Sequence, residues 1–200
     1  MQPNVPQQEA QQRPLKATGI SKDELRKDFM KYTAMATKLV FSPETRGAIM
    51  GVLKTDQDPV RKVANTTVMV MQRLDGVLRK EGLEIVDTVK IFAGHEVIKM
   101  VSEYAEAGKL FRLNDDLQLL ASSLAAQDYV NAEAKAGRIN KKILATQIQA
   151  DMRKMPEKDR KGVMQGTKRV AEIARKYNNG KGSISTAIGG KKATGLIGGA

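Results

Sequence analysis

The sequence has no cysteine and only one histidine, and these absences restrict its chemistry. Without cysteine the chain can form no disulfide, hold no metal through thiolates and use no cysteine nucleophile. A single histidine cannot build a histidine-rich zinc site. His95 lies inside a predicted helix between Gly94 and Glu96, so we interpret it as an ordinary surface or interface residue.

Aromatic residues are also scarce, since tryptophan is absent and Phe, Tyr and Trp together make up 4% of the chain. A core must therefore be built from Leu, Ile, Val, Met and Ala. Such a core suits a helical bundle but is thin for a compact enzyme, so we expect part of the apolar surface to be buried against partners. The ten methionines fit flexible core filler, or a binding surface that adapts to varied partners.

Motifs for catalysis, cofactors and membranes are missing as well. The chain contains neither the GxxxxGKS/T phosphate loop nor the GxSxG nucleophile pattern. The adjacent Asp115 and Asp116 would splay by about 100° on a helix, which predicts a helix start rather than a metal site. No segment approaches the roughly 18 apolar residues of a membrane helix, and the first residues lack the pattern of a secretory signal. The sequence predicts a non-enzymatic protein without catalytic, cofactor-binding or metal-binding residues.

From residue 21 onward, the sequence contains repeated helix-capping residues and apolar residues at helical spacing, which indicate a succession of helices. Ser21 and Glu24 form a capping-box pattern, and Pro43 and Pro59 stand where a first helical residue needs no N–H donor. Convincing period-two alternation is absent, so no sheet is expected. The prediction is an all-α fold, an elongated multi-helix bundle of about six or seven helices. Further starts are predicted at Asp87, Asn114 and Asn140, stops at Gly82, Gly108, Gly137 and Pro156, and the last helix end near Tyr177.

Apolar residues at spacings of three and four predict which side of each helix faces the core. The predicted core-facing stripes include Val77 on the third helix, Phe92, Met100 and Tyr104 on the fourth, and Val163 on the last.

Positive charge is concentrated at one end of the chain. The formal net charge is +12, and the residues from Arg138 onward carry a net +11. We therefore divide the chain into a Gln/Pro-rich arm (1–20), a neutral helical assembly domain (21–137), a basic helical extension (138–177) and a Gly-rich basic tail (178–200). A neutral body can self-associate without charge repulsion, while a basic extension attracts a polyanion or an acidic protein face.

Paired cations along the extension suit phosphate contacts that position a partner without reading base sequence. Only Tyr177 lies among them, so a stacking platform for single strands is disfavoured. Three partners stay open: acidic protein neighbours, the backbone of duplex or packaged DNA, and an anionic membrane. The candidate polyanion- or partner-binding residues are Lys141, Lys142, Arg153, Lys154, Arg160, Lys161, Lys168, Arg169, Arg175, Lys176, Lys191 and Lys192.

The Gly-rich tail carries isolated large aliphatic residues between small ones. It can be read as a flexible linker, as a set of apolar side chains that dock into a neighbour's groove, or as a lipid contact. The candidate docking residues are Ile184, Ile188, Leu196 and Ile197.

Residues 66–108, TTVMVMQRLDGVLRKEGLEIVDTVKIFAGHEVIKMVSEYAEAG, resemble a pattern of structural proteins of tailed bacteriophages: a Met/Leu-rich helix, a short link and a second helix ending at Ala-Gly. The overall composition is similar to internal or ejection proteins of short-tailed phages. The resemblance implies a homo-oligomeric virion protein that contacts portal, tail or ejection proteins, packaged DNA and transiently the host envelope, and helps to form the genome-delivery conduit. A neck or connector subunit, a basic DNA-binding packaging protein and a helical enzyme accessory subunit are the alternatives. The resemblance assigns no catalytic or binding residue.

Overall fold

The computed structural model describes residues 21–179, apart from the side chains of Lys22 and Asp151. Within that range the chain forms seven α-helices and no strand, which confirms the predicted all-α fold. The helices are α1 (Lys22–Phe41), α2 (Pro43–Leu53), α3 (Pro59–Lys80), α4 (Asp87–Ala107), α5 (Asp115–Lys135), α6 (Lys141–Lys154) and α7 (Glu157–Asn179).

Local capping chemistry sets the helix starts. The Ser21 hydroxyl accepts from the Glu24 N–H, and the Glu24 carboxylate accepts from the Ser21 N–H, so the capping box is complete. The Asn114 side chain accepts from the Leu117 N–H at 2.9 Å. These bonds satisfy N–H groups that have no partner within the helix, so the boundaries follow the sequence closely.

Three helices end in the same type of turn. In each of them, the residue two positions after the helix has a left-handed backbone conformation. This residue is Gly82 after α3 and Gly137 after α5, with φ of 67° and 70°. After α4 it is Lys109, with φ of 54°, and not the predicted stop Gly108. In the α4 turn the Leu110 N–H donates to the carbonyl of Ala105, the pattern of a Schellman motif.

Helix α3 lies at the centre and packs against α1, α2, α4 and α5. It runs antiparallel to α4, since Lys90 meets Asp75 and, one turn on, Gly94 meets Met71. Helices α1 and α4 run in the same direction. The Thr37 hydroxyl lies 3.4 Å from the Met100 sulfur, and the rings of Phe41 and Tyr104, one turn further along both helices, are 6.1 Å apart.

The main core comes from α1 to α5, where fully buried side chains include Tyr32, Ile49, Val63 and Ile98. A smaller cluster joins the start of α6 to the body and consists of Met71, Tyr129, Ile139 and Leu144. Within residues 21–179, α6 makes no extended contact with another helix, whereas α7 packs against α5.

Three apolar residues predicted on core-facing stripes are exposed instead. Phe92 is 67% exposed, Val163 43% and Val77 39%. Helix α4 buries Val89, Ala93 and Val97 against its neighbours. The apolar stripe predicted for α4 is wider than this buried face, and Phe92 lies on the part of the stripe that stays exposed. Val163 precedes the part of α7 that enters the core. Those predictions were wrong because a helix's spacing shows which residues share a face but not how much of that face a neighbour covers.

Candidate polyanion interface

The basic arm, defined as residues 138–179, comprises α6, α7 and the short segments that connect them to the body. It carries twelve lysine or arginine residues and four acidic residues, a net charge of +8. This arm is attached to the neutral body by a polar anchor at each end and by the small apolar cluster at the start of α6.

The first anchor is an ion pair at the end of α5. The Arg138 guanidinium donates to both carboxylate oxygens of Glu133, at 2.6 and 2.8 Å, and Glu133 is 3% exposed. Burial acts to raise the pKa of Glu133. The hydrogen bonds and charge of Arg138, together with the charges of Arg79 and Lys90, outweigh it and hold the pKa below its ordinary value. The bidentate pair therefore closes the turn from which the arm begins.

A buried carboxylate lies beside this pair. Asp75 on α3 is 1% exposed and accepts a hydrogen bond from the hydroxyl of Tyr129 on α5. The Lys90 ammonium lies 3.6 Å from the other oxygen of Asp75. Burial raises the pKa of Asp75, and the charge of Lys90 and the hydrogen bond from Tyr129 offset that effect only in part. We call Asp75, Lys90, Tyr129, Glu133 and Arg138 the buried ionic cluster.

The buried ionic cluster connects four parts of the chain rather than presenting reactive groups to a substrate. Asp75 comes from α3, Lys90 from α4, Tyr129 and Glu133 from α5, and Arg138 from the root of the arm. Since Asp75, Tyr129 and Glu133 are buried, a solute cannot reach their polar atoms in this conformation. The arrangement fixes how the arm leaves the body.

The second anchor is the last part of α7. The Arg169 guanidinium donates to an oxygen of Asp116 on α5, at 2.6 and 3.2 Å. The Tyr177 hydroxyl donates to Asp58, which also caps α3, and between these contacts Ile173 is buried. Burial, followed by the hydrogen bond and charge of Asp58, raises the pKa of Tyr177 above its ordinary value. The arm thus returns to the body at the starts of α3 and α5.

The predicted binding residues of the arm are all exposed, and the structure divides them into cations with a described side-chain partner and cations without one. Arg169 is used by the second anchor, the Lys141 ammonium donates to Asn131 at 2.6 Å, and Lys161 pairs with Glu157 at 2.7 Å. The other predicted cations of the arm are exposed and form no salt bridge with a carboxylate that the structure describes; they are Lys142, Arg153, Lys154, Arg160, Lys168, Arg175 and Lys176.

The remaining predicted residues, Lys191, Lys192, Ile184, Ile188, Leu196 and Ile197, lie outside the described residues.

The outer side of α7 carries a line of cations. Lys161, Lys168 and Arg175 recur every seven residues, which is close to two helical turns, so they follow one another at intervals of about 10.5 Å. Ile173 faces the body from the other side of the helix. Lys158 is exposed and lies one turn before Lys161. It escaped the sequence prediction, which looked for adjacent pairs, whereas its spacing of three from Lys161 places it on the same side.

Other chemistry is limited in the part of the chain that the structure describes. Nδ1 of His95 lies 2.9 Å from the Ser122 hydroxyl, between α4 and α5. Residues 21–179 contain no group of three or more His, Asp or Glu side chains that could hold a metal ion. None of the seven helices combines the length and the apolar character that crossing a bilayer requires.

Comparison with known proteins gives no relative: no protein-family model, no curated protein sequence and no solved structure matches the chain.

Proposed function

We propose that this chain is a non-enzymatic structural protein of a tailed-bacteriophage particle, most simply an internal or ejection protein. It assembles through its helical body, helps to form the genome-delivery conduit, and contacts a polyanion, the backbone of packaged DNA, through the basic arm. The observation that carries the polyanion contact is the set of eight exposed arm cations without a described carboxylate partner, which are the seven predicted ones and Lys158.

Duplex DNA suits this arm better than a single strand does. Sequence-independent binding needs cations that neutralise phosphates, and the arm supplies them along α6 and α7. A single-strand site also needs aromatic faces on which bases stack. Tyr177 is the arm's one aromatic residue, and its hydroxyl is bonded to Asp58 against the body.

The phage context rests on the resemblance of residues 66–108. This segment covers the last fifteen residues of α3, the link at 81–86 and α4, and the two helices pack as antiparallel neighbours. A connector subunit is the less favoured alternative because connectors carry strand-rich elements, and residues 21–179 form none. A packaging protein that binds DNA by charge is the second alternative. It would use the same exposed cations of the arm, but unlike a virion protein it would not remain in the finished particle.

Salt-dependent binding to duplex DNA tests the arm. The combined variant Lys168→Gln, Arg175→Gln, Lys176→Gln removes three exposed arm cations. Each lost phosphate contact reduces the slope of log affinity against log salt by about 0.9, so three lost contacts reduce it by about 2.7. The matched control Lys27→Gln, Lys31→Gln, Lys38→Gln removes three exposed cations of α1 and should leave the slope unchanged. Equal losses in both variants would show general charge attraction and refute a binding arm.

Two further measurements test the virion assignment. Mass spectrometry of purified particles should detect the chain, and its mass in solution should increase with concentration as copies associate. A chain that binds DNA but is missing from particles would replace the virion proposal with the packaging alternative. A strict monomer at high concentration, alone and with virion extracts, would contradict assembly through the body.

A further inference from the structure

An exposed groove lies between α1 and α4. Phe29, Thr33 and Met100 are among the residues that line it. Met30 is 60% exposed on one edge and Phe92 67% exposed near the other. The chain has four phenylalanines in all, so exposing a large aromatic ring here is a notable use of a scarce residue. Contiguous exposed apolar surface of this kind usually marks a contact site.

The groove has two apolar ends. Phe41 and Tyr104 meet one turn beyond Thr37 and Met100, which line the groove, so this ring pair marks one end of the seam between the two helices. Met30 and Phe92 lie towards the other end, and Phe41 is 52% exposed. Met30 and Phe41 are eleven residues apart on α1, which corresponds to about 16 Å along the helix axis.

The described chain ends at Asn179, two residues after Tyr177, where α7 packs against α5. The Tyr177 hydroxyl is bonded to Asp58 at the start of α3. Since α3 and α4 are antiparallel, the start of α3 lies beside the end of α4, where Tyr104 meets Phe41. A chain of 21 residues can span up to about 70 Å when extended, several times the length of the groove.

The chemistry of this tail matches the groove. It contains the four large aliphatic residues named above, three lysines and no acidic residue. Ile184 and Ile188 are separated by four residues, or about 13 Å of extended chain, which is close to the separation of the two apolar ends. The α4 edge of the groove carries Glu96, which is paired with Lys99 at 2.9 Å, and the exposed Glu103, whereas the α1 edge carries Lys31. Glu103, which forms no described ion pair, is therefore the carboxylate with which a tail lysine pairs best.

We propose that residues 180–200 dock into the α1–α4 groove of their own molecule, with Ile184 near Phe41 and Tyr104 and Ile188 near Met30 and Phe92. The attachment point favours the molecule's own tail, since a short tether gives a high effective concentration. The docked tail covers an apolar surface that a partner could use once the tail is displaced. This inference concerns a different surface from the basic arm and does not depend on the proposed function.

A tryptophan reporter tests the occupancy of the groove. The chain has no tryptophan, so Phe92→Trp in the full-length protein gives a single tryptophan at an exposed position, which can be excited apart from the four tyrosines. The tail variant Ile184→Ser, Ile188→Ser should shift the emission of this reporter to longer wavelength and increase its quenching by acrylamide. A second reporter, Met164→Trp on α7, should not respond to the tail variant. Unchanged emission of the groove reporter would overturn the proposal. This is also the result expected if residues 1–20, rather than the tail, cover the groove.

Disulfide trapping distinguishes the molecule's own tail from that of a second copy. The chain has no cysteine, so Phe92→Cys with Ile188→Cys introduces the one possible pair. A disulfide forms only when the two Cα atoms approach within about 7 Å. Mild oxidation of the full-length protein should give a crosslinked monomer, while Met164→Cys with Ile188→Cys should give none. A linked dimer would assign the groove to a second copy and overturn docking within one molecule. Because DNA affinity is read separately, failure of this proposal leaves the DNA test of the arm unaffected.

Discussion

The body, α1 to α5, and the basic arm bury their apolar residues to different extents. The body buries side chains such as Ile49 and Ile98 completely, whereas the arm buries Ile139, Leu144 and Ile173 but exposes about two fifths or more of Ile143, Ile148, Val163 and Met164. The arm's helices therefore gain little from core burial. They depend on local bonds, such as the Lys161–Glu157 pair, and on the two anchors. Segments with few buried contacts open at lower free-energy cost, so the arm can rearrange on binding while the body stays folded.

The largest expected effect compares one substitution in the two regions. Ile98→Ala in the body removes a fully buried side chain and should lower the free energy of unfolding by about 2–5 kcal/mol. Ile148→Ala in the arm truncates a side chain that is 41% exposed and should cost less than about 1 kcal/mol. Urea denaturation measures both. Similar costs would mean that α6 is packed as tightly as the body, and the comparison would fail.

The next effect concerns the joint between the two regions. Arg138→Gln leaves the buried Glu133 with Arg79 at 4.0 Å as its nearest guanidinium. The loss should be about 1–2 kcal/mol, below that of a fully buried pair, because the Arg138 side chain is 42% exposed and water can replace part of the contact. Lys142→Gln, which removes an exposed arm cation without a described ion pair, should change stability by less than about 0.5 kcal/mol. Equal effects in the urea midpoints of the two variants would rule out an anchoring role for Arg138.

A smaller effect is expected at the second anchor. Tyr177→Phe keeps the ring but removes the hydroxyl that donates to Asp58, so it should cost about 1 kcal/mol. Hydrogen exchange should become faster in α7 while α3 keeps its protection, since Asp58 still caps α3 through the Arg61 N–H. Faster exchange throughout the molecule would instead show that α7 unfolds together with the body.

The smallest expected effect is on the pH dependence of stability, where two carboxylates of the buried ionic cluster act in opposite directions. Asp75 has a pKa raised above its ordinary 3.8, so its contribution is present below that pH and is lost as the pH rises through the higher pKa of the folded state. Glu133 has a pKa lowered below 4.5, so its contribution is present above pH 4.5 and is lost as the pH falls through the folded pKa.

Urea unfolding across the acid-to-neutral range separates these contributions. Relative to the unmodified chain, Asp75→Asn should gain stability as the pH rises above 3.8, and Glu133→Gln should gain stability as the pH falls below 4.5. Glu103→Gln, at an exposed position of α4, serves as the control. If both variants followed the pH profile of the control, the two carboxylates would not influence stability through their ionisation.

Much of the fold could be predicted from short-range signals. Ser21 with Glu24 and Asn114 with Leu117 identify helix starts because capping bonds join residues three apart. Gly82 and Gly137 identify helix ends because the left-handed turn favours glycine. Lys109 was not predictable in this way, because lysine, unlike glycine, is not favoured at the left-handed position that it occupies after α4.

The candidate site was predictable only in part. The sequence identified most of the arm's cations, but it could not separate Arg169, which binds Asp116 on α5, from Lys168 beside it, which has no described carboxylate partner. That difference depends on which side of α7 meets the body. Arg138 contributed to the charge count, and only its contact with the buried Glu133 gives it a role as an anchor.

The sequence by itself determined the helical character of this protein and the separation of a neutral body from a basic arm. Both properties follow from neighbouring residues, through caps, glycine turns and the order of charges along the chain. The tertiary structure decided which apolar faces are covered, why Phe92 is exposed, and how the buried ionic cluster joins the arm to the body. These features depend on residues such as Asp75 and Tyr129, 54 positions apart, whose contact exists only once the helices have packed.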